Sequence, residues 1–168
     1  LRIMRNIGLR TRDDCVMWSP NSRLDTLQAA MLLVKLKYAP GWTGARRDHA
    51  AYYQRKLAGV PGVRVPVDRE KEHAVYHTFV VQADERDALR SFLAERGIGS
   101  NVHYPVPIHL STVGRELGYP EGSFPVAESQ ARHIVSLPVY PELSRAQLDR
   151  VCHAVTEFST THSRATIA

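Results

Sequence analysis

The stretch Asn101-Val102-His103-Tyr104-Pro105-Val106-Pro107-Ile108-His109 puts two imidazoles and a phenol within nine residues. An imidazole exchanges a proton near neutral pH. A phenol offers both a hydrogen bond and an aromatic face. Pro105 and Pro107 fix φ near −65° and hold Tyr104 and Val106 extended. A stiff backbone beneath three polar rings is what a binding wall needs. A proline-containing surface loop reads the same way, so the stretch alone leaves both readings open.

Other chemistries are poorly represented. The chain has eight histidines, but no H-E-x-x-H pattern or paired Cys/His cluster, so no metal is expected. There is no G-x-G-x-x-G, no Walker pattern and no G-x-S-x-G elbow. His77 reads as a buried or edge histidine of a strand with one hydrogen bond, His49 as core-facing or half-buried on a helix, and His153 as a surface residue. Asn21 and Arg23 flank the start of a long apolar-periodic segment. Spacing alone makes Asn21 a cap and Arg23 a solvated cation, with an anion site at the helix start as the other reading.

Composition sets the frame for these residues. The 168 residues are 43% hydrophobic and 23% charged, with a net charge of +5 and a pI near 9.5. The positive balance favours an anionic ligand such as a nucleotide. The basic residues are scattered rather than clustered, so nucleic acid is not an expected partner. Cys15 and Cys152 form no C-x-x-C pair and read as reduced, structural thiols. No apolar run reaches the roughly 18 residues of a membrane span. A cytoplasmic location is the expectation. The chain opens on Leu1 rather than Met, which reads as a start in mid-sequence.

The positioning elements follow from periodicity. Leu24, Leu27, Met31, Val34 and Tyr38 mark one helical face, and Ala29, Ala30, Leu32, Leu33 and Leu36 widen it, so this helix is expected to be buried on more than one side. Asn21 or Ser22 is its expected cap. Pro40-Gly41 kinks it, and Trp42, Ala45, His49, Tyr53 and Leu57 continue it, with Arg46, Arg47 and Asp48 facing outward. Val63 to Val67 reads as an edge strand and Ala74 to Val81 as a central one. A helix follows from Asp84 to Gly97, and Ile98 to His103 reads as a further strand. A short helix is expected between Ser111 and Gly118. Phe124 to His133 is helical, Ile134 to Pro138 a strand, and Ser144-Arg145-Ala146-Gln147 a capping box for a last helix. The tail from Ser159 is expected to fray. The alternation predicts an α/β fold with a small, mainly antiparallel sheet covered by helices.

Three of these segments, in order and at this separation, resemble one family. They are Asn21-Ser22-Arg23-Leu24-Asp25-Thr26-Leu27-Gln28-Ala29-Ala30, His103-Tyr104-Pro105-Val106-Pro107-Ile108-His109, and Ser136-Leu137-Pro138-Val139-Tyr140-Pro141. Together they are similar to the nucleotide-sugar aminotransferases of the DegT/DnrJ/StrS type. Arg5-Asn6-Ile7-Gly8 and Gly97-Ile98 fit the same pattern. Ser19-Pro20 departs from it, where the family places a glycine and often an aromatic residue.

The resemblance implies a pyridoxal 5′-phosphate enzyme of the aspartate aminotransferase fold (fold type I), working as a homodimer. Such an enzyme moves an amino group, usually from glutamate, to a keto-sugar on a nucleoside diphosphate. It also implies that Asn21, with Arg23 beside it, reaches the cofactor phosphate of the partner subunit. His103, Tyr104 and His109 would then border the sugar-nucleotide pocket. The family's Schiff-base lysine lies upstream of the Asn-x-Arg motif, whereas Lys35, Lys37, Lys56 and Lys71 all lie downstream. The expected layout is the end of a large domain at 1–21, a linking helix at 22–58 kinked near 40, a small C-terminal domain at 59–158 and a frayed tail at 159–168. This fragment alone is expected to be inactive. A sugar dehydratase on the same scaffold and a non-catalytic binding or dimerisation module are the alternatives.

Overall fold

A computed structural model describes residues 1–165. The chain forms two compact units that divide between Pro40 and Gly41.

The first unit begins with turns that lead into a short antiparallel hairpin, β1 (Leu9–Thr11) and β2 (Asp14–Cys15), with Leu9 opposite Cys15. Gly8 precedes it at φ +74°, where a Cβ would lie 1.6 Å from the Met17 carbonyl oxygen, so only glycine fits this close approach. Asn21 pairs by an isolated antiparallel bridge with Asn6. That pairing holds Asn21 extended, and the helix α1 (Thr26–Leu36) starts five residues after it. Asp25 is the cap, its N–H donating to Oε1 of Gln28 at 3.3 Å. The expected cap at Asn21 or Ser22 is therefore corrected.

Helix α1 differs from expectation in a second way. None of its residues is buried, and Leu27, Met31, Leu33 and Leu36 are each more than half exposed. The apolar pattern is present, but nothing in the described residues covers it.

The linking helix is two helices, with α2 spanning Ala39–Leu57. The break at Lys37–Tyr38 precedes Pro40 for a simple reason. A continuous helix would need the N–H that Pro40 lacks at the Leu36 carbonyl, and the ring would crowd that carbonyl.

The core lies in the second unit. Its sheet has the order β3 (Val63–Arg64), β4 (Phe79–Ala83), β5 (Ile134–Leu137), all antiparallel. In β4, Phe79, Val81 and Ala83 alternate into the core, the period-2 pattern of a half-buried strand. Phe79 is fully buried, with its ring 5.0 Å from that of Tyr53 on α2 and 5.9 Å from that of Tyr76. Burying one such side chain contributes about 1.5–3 kcal/mol. Helices α3 (Arg86–Glu95) and α5 (Arg145–Ala165) add Leu89, Leu93, Val151 and Val155. Cys152 is buried here, and burial pushes its thiol up to about 11, in keeping with a structural thiol.

Several boundaries differ from the sequence reading. Residues 74–78 are not a strand. Their carbonyls are taken by side chains of α2, Arg46 Nε donating to Val75 O at 3.3 Å and Arg47 to Ala74 O, so these arginines do not simply face outward. Tyr76 sits at φ +48°, its hydroxyl bonded to Asp68 and accepting from Gln54. Such a backbone is held only where its surroundings over-determine it. Ile98 to His103 forms one bridge, Asn101 to Ser136, rather than a strand. The segment 111–118 forms 3-10 turns rather than an α-helix.

Helix α5 runs past the expected fraying point at Ser159. That residue is buried and donates to the Pro61 carbonyl, and Thr160 and Thr161 bond back to Glu157 O. Residues 166–168, at the end of the expected tail, lie outside the described residues. The Ser144 capping box forms as read, with Ser144 N–H donating to Gln147 Oε1 at 2.9 Å and Gln147 N–H to Ser144 Oγ at 3.3 Å.

Candidate functional site

In the first unit, the Asn6–Asn21 bridge and the Ser22 N–H to Arg5 O bond, 2.9 Å, fix the backbone at the Asn-x-Arg motif. Arg23 Nε donates to Asn21 Oδ1 at 2.8 Å. This contact assigns the amide orientation and leaves Nδ2 as the donor of Asn21. Both side chains are exposed. An amide N–H beside a guanidinium is a donor set that suits a phosphate, so these residues fit the phosphate of pyridoxal 5′-phosphate.

In the second unit, the loop from Asn101 to His109 leaves the edge of β5. Val102 N–H donates to Asn101 Oδ1 at 2.8 Å, which turns Asn101 Nδ2 toward His103 Nε2, 3.2 Å away. Nε2 therefore accepts, and Nδ1–H donates to Ser136 Oγ at 2.9 Å. Both ring nitrogens of His103 are engaged within the protein. Tyr104 stands edge-on to that ring at 5.8 Å, and is 76% exposed.

His109 points the other way. It is the middle residue of a 3-10 turn, Ile108–Leu110, and is only 7% exposed. Its Nε2 lies 2.9 Å from Oε1 of Glu128, which is itself 4% exposed, on α4 (Pro125–His133). The same carboxylate accepts Gly122 N–H at 2.9 Å and Phe124 N–H at 3.2 Å. Burial alone would push the Glu128 carboxyl up, but the bonds from His109, Gly122 and Phe124 outweigh it and hold the group below its usual range. His109 thus has its Nε2 committed to the fold, while its ring stacks edge-on against Phe124 at 4.8 Å.

Tyr104, His109, Tyr119, Phe124 and α4 surround a cavity of about 480 Å³, lined almost wholly by apolar and aromatic side chains. Gly114 closes the loop beneath it, and a Cβ there would lie 1.8 Å from Ile108 O.

Asn101, Ser136 and Glu128 were not singled out from the sequence. Glu128 left one signal, a glutamate in the first turn of a helix that opens on Phe124-Pro125. His73 and His77 are four residues apart, a spacing that brings two ligands together on a helix. Here the segment is not helical and both are exposed. Among the described residues no group of three or more His, Cys, Asp or Glu side chains could hold a metal ion. No described helix is long and apolar enough to cross a membrane.

A small antiparallel sheet covered by helices, preceded by an exposed Asn-x-Arg motif, defines the C-terminal part of a fold-type I pyridoxal phosphate enzyme. The family model for DegT/DnrJ/EryC1/StrS aminotransferases matches residues 1–156, and the chain belongs to that family, whose enzymes depend on pyridoxal phosphate. It is 45% identical over 159 residues to the dTDP-3-amino-3,4,6-trideoxy-alpha-D-glucose transaminase of Streptomyces venezuelae, covering 95% of this chain and 42% of that protein. It is 41% identical over 151 residues to the erythromycin biosynthesis sensory transduction protein EryC1 of Saccharopolyspora erythraea, covering 90% and 41%. The crystal structure of S. venezuelae DesV superposes with a TM-score of 0.88 at 45% identity, over 94% of this chain and 43% of that one. The chain thus spans less than half the length of these relatives.

Proposed function

We propose that these residues are the C-terminal part of an aminotransferase that moves an amino group, from glutamate, onto a keto-sugar carried by a nucleoside diphosphate. One observation carries the reading: 45% identity, over nearly the whole chain, to a transaminase named for a dTDP-linked amino sugar. Asn21 Nδ2 and the Arg23 guanidinium hold the cofactor phosphate of a partner subunit in a homodimer, and their 2.8 Å bond keeps the amide turned outward. When bound, the cofactor supplies an electron sink for the amino transfer. His103, Tyr104 and His109 form a wall of the sugar-nucleotide pocket. Tyr104 makes the contact, His103 braces it from Ser136, and His109 fixes the loop through Glu128. The net positive charge favours the anionic substrate.

The residues 1–168 by themselves do not transaminate, because the lysines they hold, Lys35, Lys37, Lys56 and Lys71, all follow the phosphate-binding motif. The test is borohydride reduction of this chain with stoichiometric pyridoxal phosphate, followed by intact mass. No pyridoxyl adduct is expected. A stoichiometric adduct on one lysine, with amino transfer from glutamate to a dTDP-keto-sugar, would sink the assignment of the reactive lysine to the rest of the enzyme. A protein that includes the family's large domain is expected to transaminate the same sugar.

A further inference from the structure

We infer that Ser136 and Asn101 are positioning residues for the sugar-nucleotide wall: they lock the His103 ring in one tautomer and one orientation, and that ring sets the direction of Tyr104. The inference rests on the nucleotide-sugar reading above. Ser136 breaks the apolar pattern of its strand. It lies between Val135 and Leu137 in β5, and all three are buried. Packing alone would be served by a valine, and a buried hydroxyl costs free energy unless it is bonded. Among the described residues the Ser136 hydroxyl has one partner, Nδ1 of His103 at 2.9 Å.

Asn101 acts on the other nitrogen. Its backbone exchanges two bonds with Ser136, at 3.3 and 2.7 Å, so its side chain is not needed to join the loop to β5. The side chain has a separate duty. Its Oδ1 is taken by Val102 N–H, which leaves Nδ2 to face His103 Nε2 at 3.2 Å. A donor at that place excludes a proton on Nε2. The proton is thereby assigned to Nδ1, the less common tautomer of free neutral histidine, by the bond that the other nitrogen makes. Orientation is fixed by the same two contacts. A half-turn of the ring would set Cδ2–H against Ser136 and Cε1–H against Asn101, and both bonds would be lost. Tyr104 is 76% exposed and rests edge-on against this ring at 5.8 Å. A loosened imidazole therefore lets the tyrosine swing, and binding of the sugar nucleotide then bears the cost of ordering it.

Histidine-selective ¹⁵N labelling of this chain reads the tautomer directly at about pH 8, where imidazoles are neutral, with His103 assigned against His103→Gln. A protonated, pyrrole-type Nδ1 and a bare, pyridine-type Nε2 are expected. Asn101→Asp is isosteric at an exposed position and puts an acceptor at Nε2, so Nε2 is expected to become pyrrole-type. The second arm uses a protein that includes the large domain. Ser136→Ala is expected to raise KM for a dTDP-keto-sugar by about three- to tenfold, with kcat and the KM for glutamate kept. Asn101→Ala, which retains the backbone bridge, is expected to do the same and stands in if Ser136→Ala does not fold. A protonated Nε2 in the wild type, or no change in Asn101→Asp, overturns the lock. An unchanged sugar KM, or equal losses in kcat and both KM values, overturns the positioning role. A wild-type protein that does not turn over the sugar overturns the nucleotide-sugar reading and the wall with it, while the spectra still decide the lock.

Discussion

Buried Glu128 takes hydrogen bonds from His109, Gly122 and Phe124, and its two oxygens have little water to turn to. Its folded-state value lies below its ordinary one near 4.5. The unfolded chain therefore binds the proton more readily, and the carboxylate's contribution to stability is full above that value and lost as pH falls through the depressed native one. Glu128→Gln keeps one carbonyl acceptor but turns an N–H₂ group toward existing donors. A thermal midpoint several degrees lower at pH 7 is expected, with the deficit shrinking as pH drops below about 4.5. Scanning calorimetry from pH 3 to 7 checks this, and a deficit that does not change with pH would speak against it. Tyr104 shows the opposite economy: it is exposed, its aromatic ring is turned to solvent, and the buried hydroxyl of Ser136 supports it through His103.

At the level of elements, the helices with clear apolar periods were legible in the sequence, as were β5, β3 and the central position of β4. Those signals come from side chains that repeat along the chain. The misread segments are those whose backbone is held by distant side chains. Residues 74–78 carry strand composition, yet Arg46 and Arg47, nearly thirty residues earlier, take their carbonyls. Of the site, the Tyr104 loop and the Asn-x-Arg motif could be read directly. The partners Ser136 and Glu128 could not, because a hydrogen bond across 33 or 19 residues leaves no local pattern. The turns around the groove depend on Gly114, where backbone passes against backbone. Gly114→Ala must push the Ile108 carbonyl away from a 1.8 Å clash, at a cost of about 1–3 kcal/mol for overpacking. Hydrogen exchange is expected to rise across residues 104–118 and to stay unchanged in β4. Uniform loss of protection would mean the loop is not a separable element.

For the molecule as a whole, the exposed apolar side chains of α1 are the conspicuous liability. Leu27 is 74% and Leu33 64% exposed on a helix with no buried residue. Exposed patches of this kind mark interaction surfaces. The isolated chain is expected to self-associate at micromolar concentration, and Leu27→Lys with Leu33→Lys to shift it to monomer in sedimentation velocity. A chain that stays monomeric throughout would refute this.

The core has a different consequence, one that concerns synthesis. Its contacts join the two ends of the second unit: Tyr53 to Pro138, Tyr52 to Asp149 and Ser159 to Pro61, across 85, 97 and 98 residues. Non-local contacts of this length repay their loop-closure entropy late, so they slow folding. Helix α2 leaves the ribosome about a hundred residues before α5. Until α5 follows, Tyr53, Phe79 and Leu93 have no lid, and a chaperone has a long interval in which to find them.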